Sequence, residues 1–195
     1  MSTRSYFTLH ADPDEKYCVV LDFPEDFKSY SFPARGMRMD DRYSPGTVFS
    51  MGREAPGIVV PDFVPNAIQY LMVSERAKDL VLRLAGVPIE PLNFVLRDHK
   101  GRLRPEALYI LNVLTAIDCV DRTRTQGRPD SADPSLYFEL RRVQIDPARV
   151  PEDVALFRLK AMPALMIVRD DLRDAILAAG LTGVRFSALG TPIKA

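Results

Sequence analysis

The chain has 195 residues, and its 26 lysines and arginines are matched by 26 aspartates and glutamates, leaving a formal net charge of zero. That balance argues against a dedicated nucleic-acid binder, which carries a basic excess. No apolar run reaches the roughly 20 residues that cross a bilayer, and the start MSTRSYFTLHADPDE lacks an apolar signal core.

The length suits one domain over residues 1–195, or an N-terminal lobe 1–57 followed by a C-terminal lobe 58–195. Up to Gly57 the chain is rich in Asp, Pro, Phe and Tyr and poor in helical periodicity. It reads as short strands and turns, with strands at Ser5–His10 and Tyr17–Leu21. From Ser74 a helix is expected, since Ala77, Leu80, Val81 and Leu84 recur at helical spacing and Gly86 can end it in a left-handed cap. Leu92–Leu96 reads as a strand, Asp98–Gly101 as a turn, and Tyr109–Ala116 as an extended segment for which helix is the alternative. Thr123–Pro134 has the Gly, Pro, Asp and Ser content of a surface loop, Leu136–Ile145 reads as a strand, and Asp146-Pro147 breaks the chain.

The last third is the most legible part. Pro163 starts an apolar run through Leu165, Met166, Ile167 and Val168. Asp170 and Asp171 then place negative charge at a helix start, and Leu172, Ala175, Ile176 and Ala179 make its apolar stripe. Gly180 closes that helix, and Val184–Phe186 resume extended structure. The two helical stripes repeat at one constant offset. Such an echo fits either an internal duplication or, the favoured reading, two amphipathic helices built by the same rules, and in both cases the helices are expected to lie on a shared sheet. The fold expected is α+β: a mixed or antiparallel sheet packed by two main amphipathic helices, with an irregular, strand-rich N-terminal region.

Chemistry is sparse. Asp118 and Asp121, followed by Arg122 and Arg124, could serve as metal ligands or as general acid and base. Without a third ligand or a histidine beside them, an exposed strand end whose carboxylates cap a turn or pair with arginine is the favoured reading. His10 and His99 are the two histidines, and each is expected in a solvated loop or edge position. No phosphate loop, nucleophile elbow or zinc-type spacing is present, so no cofactor and no metal are expected. Cys18 and Cys119 are far apart in sequence and read as two reduced thiols, Cys119 within core packing. The basic stretches Arg97, Lys100, Arg102, Arg104 and Arg122, Arg124, Arg128 lack the interleaved aromatics of a stacking platform, so a solvated charged face is expected. By contrast Asp12, Asp14, Glu15, Asp22, Glu25 and Asp26 make the first thirty residues acidic, with Tyr6, Phe7, Tyr17, Phe23 and Phe27 among them. Such a segment could dock on a basic partner, although half-buried strands give the same composition.

Five segments in sequence order carry a family resemblance: PDFVPNA at Pro61–Ala67, VSERAKDL at Val73–Leu80, YILNVLTAIDCVD at Tyr109–Asp121, FRLK at Phe157–Lys160 and AAGLTGVRF at Ala178–Phe186. Together they resemble the bacterial immunity proteins numbered eleven in the polymorphic-toxin classification. The chain departs from that family's pattern where Arg169 replaces a capping Ser and Asp171 a Glu, and it matches little before Met51. The resemblance implies a cytoplasmic, non-enzymatic protein that binds and neutralises a toxin domain encoded nearby, with no direct nucleic-acid or membrane partner. Asp12, Glu15, Asp22, Asp26, Asp118 and Asp121 are the toxin-contact candidates. The alternative is a small hydrolase or nucleic-acid-modifying enzyme using Asp118, Asp121 and His99.

Overall fold

The computed structural model describes residues 4–12, 14–25 and 27–193. Its centre is built from the two longest apolar runs, which form β5 (Leu108–Val113) and β10 (Met162–Arg169). On β5, Leu108 and Ile110 enter one core while Leu111 and Val113 enter another. On β10, Met166 and Val168 face one core and Ile167 faces a third. A strand buried on both faces gives a continuous apolar run instead of alternation, which is why the sequence of Tyr109–Ala116 also admits a helix. The segment is extended, as β5 and the short β6 (Ala116–Ile117).

In chain order the other strands are β1 (Tyr6–Ala11), β2 (Thr47–Ser50), β3 (Met72–Ser74), β4 (Ile89–Arg97), β7 (Gln126–Pro129), β8 (Tyr137–Arg142), β9 (Leu156–Leu159) and β11 (Val184–Ala188). They form a five-stranded sheet β11-β1-β10-β9-β6, a four-stranded sheet β2-β4-β5-β3 and the pair β7-β8. The β6–β9 and β2–β4 pairs are parallel and the rest antiparallel, so the fold is mixed α+β. The N-terminal strand lies between β10 and β11, pairing Tyr6–Thr8 with Arg169–Ile167 on one side and Phe7–Ala11 with Ala188–Val184 on the other.

Three expectations change. Tyr17–Leu21 forms isolated bridges, Tyr17 to Val59 and Val20 to Met51 and Asn66, rather than a strand. The expected loop Thr123–Pro134 contains β7, which pairs with β8. Its four residues are all exposed and carry Gly and Pro, so composition hid a strand that is defined by its backbone pairing. Gly127 permits that approach, since a Cβ there would lie 2.3 Å from the Glu139 carbonyl oxygen. Finally, the two long helices do not share a sheet.

Helix α1 (Ser31–Arg35) is short; α2 (Glu75–Leu84) and α3 (Asp170–Ala178) are the main ones. Helix α2 packs on β3 and β5 of the four-stranded sheet, α3 on β10 and β1 of the five-stranded sheet, and the two helices touch each other. What they share is a core. Ala77 and Val81 of α2 and Leu172 and Ile176 of α3 are buried with Leu111, Val113, Leu156 and Val168 between the sheets. Gly86 and Gly180 follow the helices with φ of 69° and 61°, the left-handed conformation their sequence position suggested. Ser74 caps α2 by accepting from the Ala77 amide. No side chain caps α3; Asp170 and Asp171 supply its negative first turn, while Arg169 turns away to pair with Asp171 and to donate to the Glu152 and Val154 carbonyls.

Candidate functional site

The motif segments meet in two polar nodes, one at the surface and one in the interior. At the first, the Asp62 carboxylate accepts from Ser74 Oγ at 2.7 Å, the Thr182 amide at 2.9 Å and Thr182 Oγ1 at 3.0 Å, and pairs with Arg76 Nε at 3.0 Å. Arg76 also donates to the Ala179 and Gly180 carbonyls, the free carbonyls at the end of α3. One carboxylate thus ties the start of α2 to the loop after α3. Gly183 completes the joint, because a Cβ there would sit 2.2 Å from the Phe63 carbonyl oxygen.

The second node is Arg158 of β9, fully buried and hydrogen-bonded to carbonyls alone. Its guanidinium donates to the carbonyls of Val113 (2.7 Å), Ala34 (2.9 Å), Pro163 (2.8 Å) and Pro33 (2.6 Å), joining both sheets to α1. Burial pulls its pKa down to about 10, which still leaves it charged at neutral pH. Five donors in a planar fork suit this; a lysine would leave carbonyls unmatched.

The candidate enzyme residues are not assembled. Asp118 is exposed, and with Asp121 it lines a shallow depression of about 460 Å³ shared with Val120, Arg122, Arg124, Asp146 and Arg149. Asp121 is occupied by its own turn: it accepts from the amides of Thr123 and Arg124, from Thr123 Oγ1 at 2.7 Å and from Arg124 Nε at 2.6 Å. The Thr123 hydroxyl and Arg124 hold its carboxyl down at about 2. His99 does not line that depression; it sits in the turn after β4, donating from Nε2 to the Gly57 carbonyl at 3.2 Å. Contrary to expectation, His10 is not in a loop or at an edge. It lies on the inner strand β1, half-buried, with Nε2 2.7 Å from Thr8 Oγ1, and burial followed by the nearby Arg185 lowers its pKa. Among the described residues, no group of three His, Cys, Asp or Glu side chains comes together as a metal site would require. Cys18 and Cys119 are free thiols in different cores, and burial raises them to about 11 and about 12.

The basic stretches are largely spoken for. Arg102 is held by Asp98, whose carboxyl sits near 2 because it accepts the Arg102 amide, and Arg104 pairs with Glu106 at 2.6 Å. Arg122 lies over Tyr137, and Arg128 over Phe138.

The acidic N-terminal residues stay on the surface. Asp12 and Glu15 line a depression of about 650 Å³ together with Glu54. Asp22 lines a larger neighbouring groove, which also reaches Glu54. Asp26 lies outside the described residues. The aromatic residues nearby turn inward: Tyr6, Tyr17 and Phe27 are buried, and Phe23 packs against the first core. Sequence reasoning missed Glu54 and its neighbours Ile58 and Val59. The run GIVVPDF looks like core, and nothing in its period shows that Ile58 and Val59 face out.

The chain matches the immunity protein family (Imm11) over residues 5–191. It belongs to that family. No curated protein matches it. For an immunity protein the family implies a toxin-neutralising role, a toxin partner and inhibition without catalysis. The family match includes the segment before Met51 that the motif comparison left unmatched. In this immunity protein the motif residues Asp62, Ser74, Arg76, Arg158 and Thr182 are spent on internal bonds. No helix among the described residues is long and apolar enough to cross a membrane.

Proposed function

We propose that this protein is a stoichiometric inhibitor acting in the cytoplasm of the producing bacterium, where it binds the toxin domain encoded beside it and covers that toxin's active surface or substrate entry. The setting is a polymorphic toxin system used in interbacterial competition and kin discrimination. The observation that carries this reading is the family match across residues 5–191. Asp12, Glu15 and Asp22 are the contact candidates it favours, because their carboxylates lie on adjoining surface depressions and have no ion-pair partner among the described residues. If the toxin is a nuclease, its groove is basic, and a carboxylate-bearing face both fits it and accelerates encounter. Asp118 keeps an exposed carboxylate for the same purpose, whereas Asp121 is already engaged in its turn.

Co-expression with the neighbouring toxin domain tests this. The protein should restore growth and co-purify with the toxin domain at one-to-one stoichiometry. Protection without a complex, or at substoichiometric amounts of the protein, would point to enzymatic detoxification instead.

A further inference from the structure

We propose that the cleft between β1, β10 and the loop 66–71 is a receptor for one aromatic side chain of the toxin domain, a tyrosine or tryptophan whose O–H or N–H is bonded at the rim. This role rests on the immunity reading above and deepens it by naming the chemistry of the anchor.

The cleft arises where strand pairing stops. β1 pairs with β10 only over Tyr6–Thr8, against Arg169–Ile167, whereas its pairing with β11 runs on to Ala11. β10 in turn shifts register against β9 between Met162 and Met166. The resulting space of about 270 Å³ is lined by Leu9 and His10 of β1, by Met162, Leu165 and Met166 of β10, and by Gln69 of the loop. That loop is fixed in advance. Asn66 donates from Nδ2 to the Val64 and Tyr70 carbonyls at 3.0 and 2.8 Å and accepts the Tyr70 amide at 2.9 Å. Within it Gln69 is held at a φ of 63°, a left-handed conformation uncommon for a residue other than glycine. Backbone strain of this kind persists where surrounding bonds enforce it, and it concentrates at ligand clamps. A rim held this way loses little freedom on binding.

Size and chemistry select the occupant. The lining holds no Asp, Glu, Lys or Arg, and burial followed by the nearby Arg185 lowers the His10 pKa, so the ring is neutral at pH 7 and a charged group finds no counter-ion. The volume falls below the roughly 300–1,000 Å³ of pockets that enclose whole small molecules, and it suits one large side chain. Leu9 and Leu165 supply apolar contact, and the thioethers of Met162 and Met166 favour an aromatic ring. Two acceptors are left over. Thr8 Oγ1 donates to the Ser187 carbonyl at 3.3 Å and so accepts from His10 Nε2, which leaves the lone pair of Nδ1 without a partner among the described residues. The exposed Gln69 carboxamide has none there either. An aromatic ring carrying a donor meets both the apolar walls and these acceptors. A second copy of this chain does not offer one. It has no tryptophan, and of the exposed aromatic side chains among the described residues Phe138 lacks a donor and Tyr30 is stacked on Phe23 at 4.6 Å. Tyrosine and tryptophan are common interface anchors, and the toxin domain is the partner that can bring one.

The test has two arms. In the first, p-cresol, the tyrosine side chain as a free molecule, is titrated into the full chain and should shift the His10 ring resonances in NMR spectra with a Kd on the order of 1 mM. Toluene, which lacks the hydroxyl, should bind about threefold to tenfold more weakly, the loss of one hydrogen bond. In the second arm the purified toxin domain encoded beside this protein is bound at low and high salt. Ala164→Phe, which puts a ring on the cleft wall, should block p-cresol and weaken toxin binding at least about 30-fold, the size of a hot-spot loss. Gln69→Gly keeps the left-handed backbone without strain, should melt like the parent, and should weaken toxin binding about threefold to tenfold. Both losses should persist at high salt, unlike a loss of steering charge. If Ala164→Phe melts low, Gln69→Gly and the His10 shift decide. No His10 shift with either p-cresol or the toxin domain would overturn the proposal, as would parental toxin affinity in Gln69→Gly together with a folded Ala164→Phe; both results leave the immunity reading intact. Equal binding of toluene and p-cresol would also overturn it. Loss of self-association in Ala164→Phe with toxin affinity retained would assign the cleft to a second copy and overturn it too. If the parent itself does not bind the toxin domain, the immunity reading falls and the toxin as occupant with it, whatever p-cresol does.

Discussion

Two sets of charged residues in this protein are treated in opposite ways. Asp62, only slightly exposed, and the fully buried Arg158 find their partners within the chain: four contacts converge on the Asp62 carboxylate, and four carbonyls accept from the Arg158 guanidinium. Glu15 and Glu54 sit on the surface beside exposed Ile58 with no ion-pair partner among the described residues. A buried charge is tolerable only when its bonds are complete within the chain. An exposed one is hydrated at little cost and remains available to another molecule. Scaffold and recognition can thus be separated by asking where each charge finds its partners.

Substitutions should fall along that division. Arg158→Met would leave four carbonyls unmatched in a dry site, and the loss of about 3–5 kcal/mol should unfold much of the population or lower Tm sharply in a thermal melt. A melt close to the parent's would mean that water or a rearranged α1 can satisfy those carbonyls. Asp62→Ala should cost about 1–3 kcal/mol by releasing Thr182 and the Ser74 hydroxyl, read as a shift in the urea midpoint without a change in slope.

Asp171→Asn sharpens the comparison, because Asp171 is charged and paired but more than half exposed. Its hydrogen bonds from Arg169 hold its carboxyl below the usual range. With the folded value depressed, the stabilisation is present above the unfolded carboxyl pKa near 4 and is lost as pH falls through the lower folded value. The variant should therefore be less stable than the parent near neutrality, by under about 1 kcal/mol, and the gap should close below about pH 4. Finally, Asp12→Asn/Glu15→Gln/Asp22→Asn should leave stability within about 0.5 kcal/mol while slowing association with a basic toxin roughly tenfold at low salt, measured by stopped flow or surface plasmon resonance. An equal association rate would show that these carboxylates do not steer the encounter.

The strand, helix and strand ending at Phe186 were readable because apolar spacing, an acidic first turn and a capping glycine agree over Pro163–Phe186. The β7 strand was not, since Gln126–Pro129 buries no side chain and is defined only by its partner β8. His10 illustrates the same limit. A histidine between Leu9 and Ala11 looks like a loop or edge residue until β11 pairs with it and sets Arg185 opposite. The candidate docking residues Asp12, Glu15 and Asp22 were visible as an acidic cluster, but their apolar neighbours were not. Exposure of Ile58 and Val59 depends on which segments arrive beside them: Tyr17 bridges Val59 and His99 bonds the Gly57 carbonyl, and both are far away in the chain.

The sequence by itself determined the fold class, the positions of α2 and α3 and the family, because helical periodicity, caps and ordered motifs are local properties that survive without tertiary information. The tertiary structure decided that the two helices rest on different sheets, that Arg158 is a buried tie, that Asp121 serves its own turn and that Ile58 and Leu103 are left in water. Each of these depends on which distant backbone arrives beside a residue, and that is set by packing between sheets rather than by neighbours along the chain.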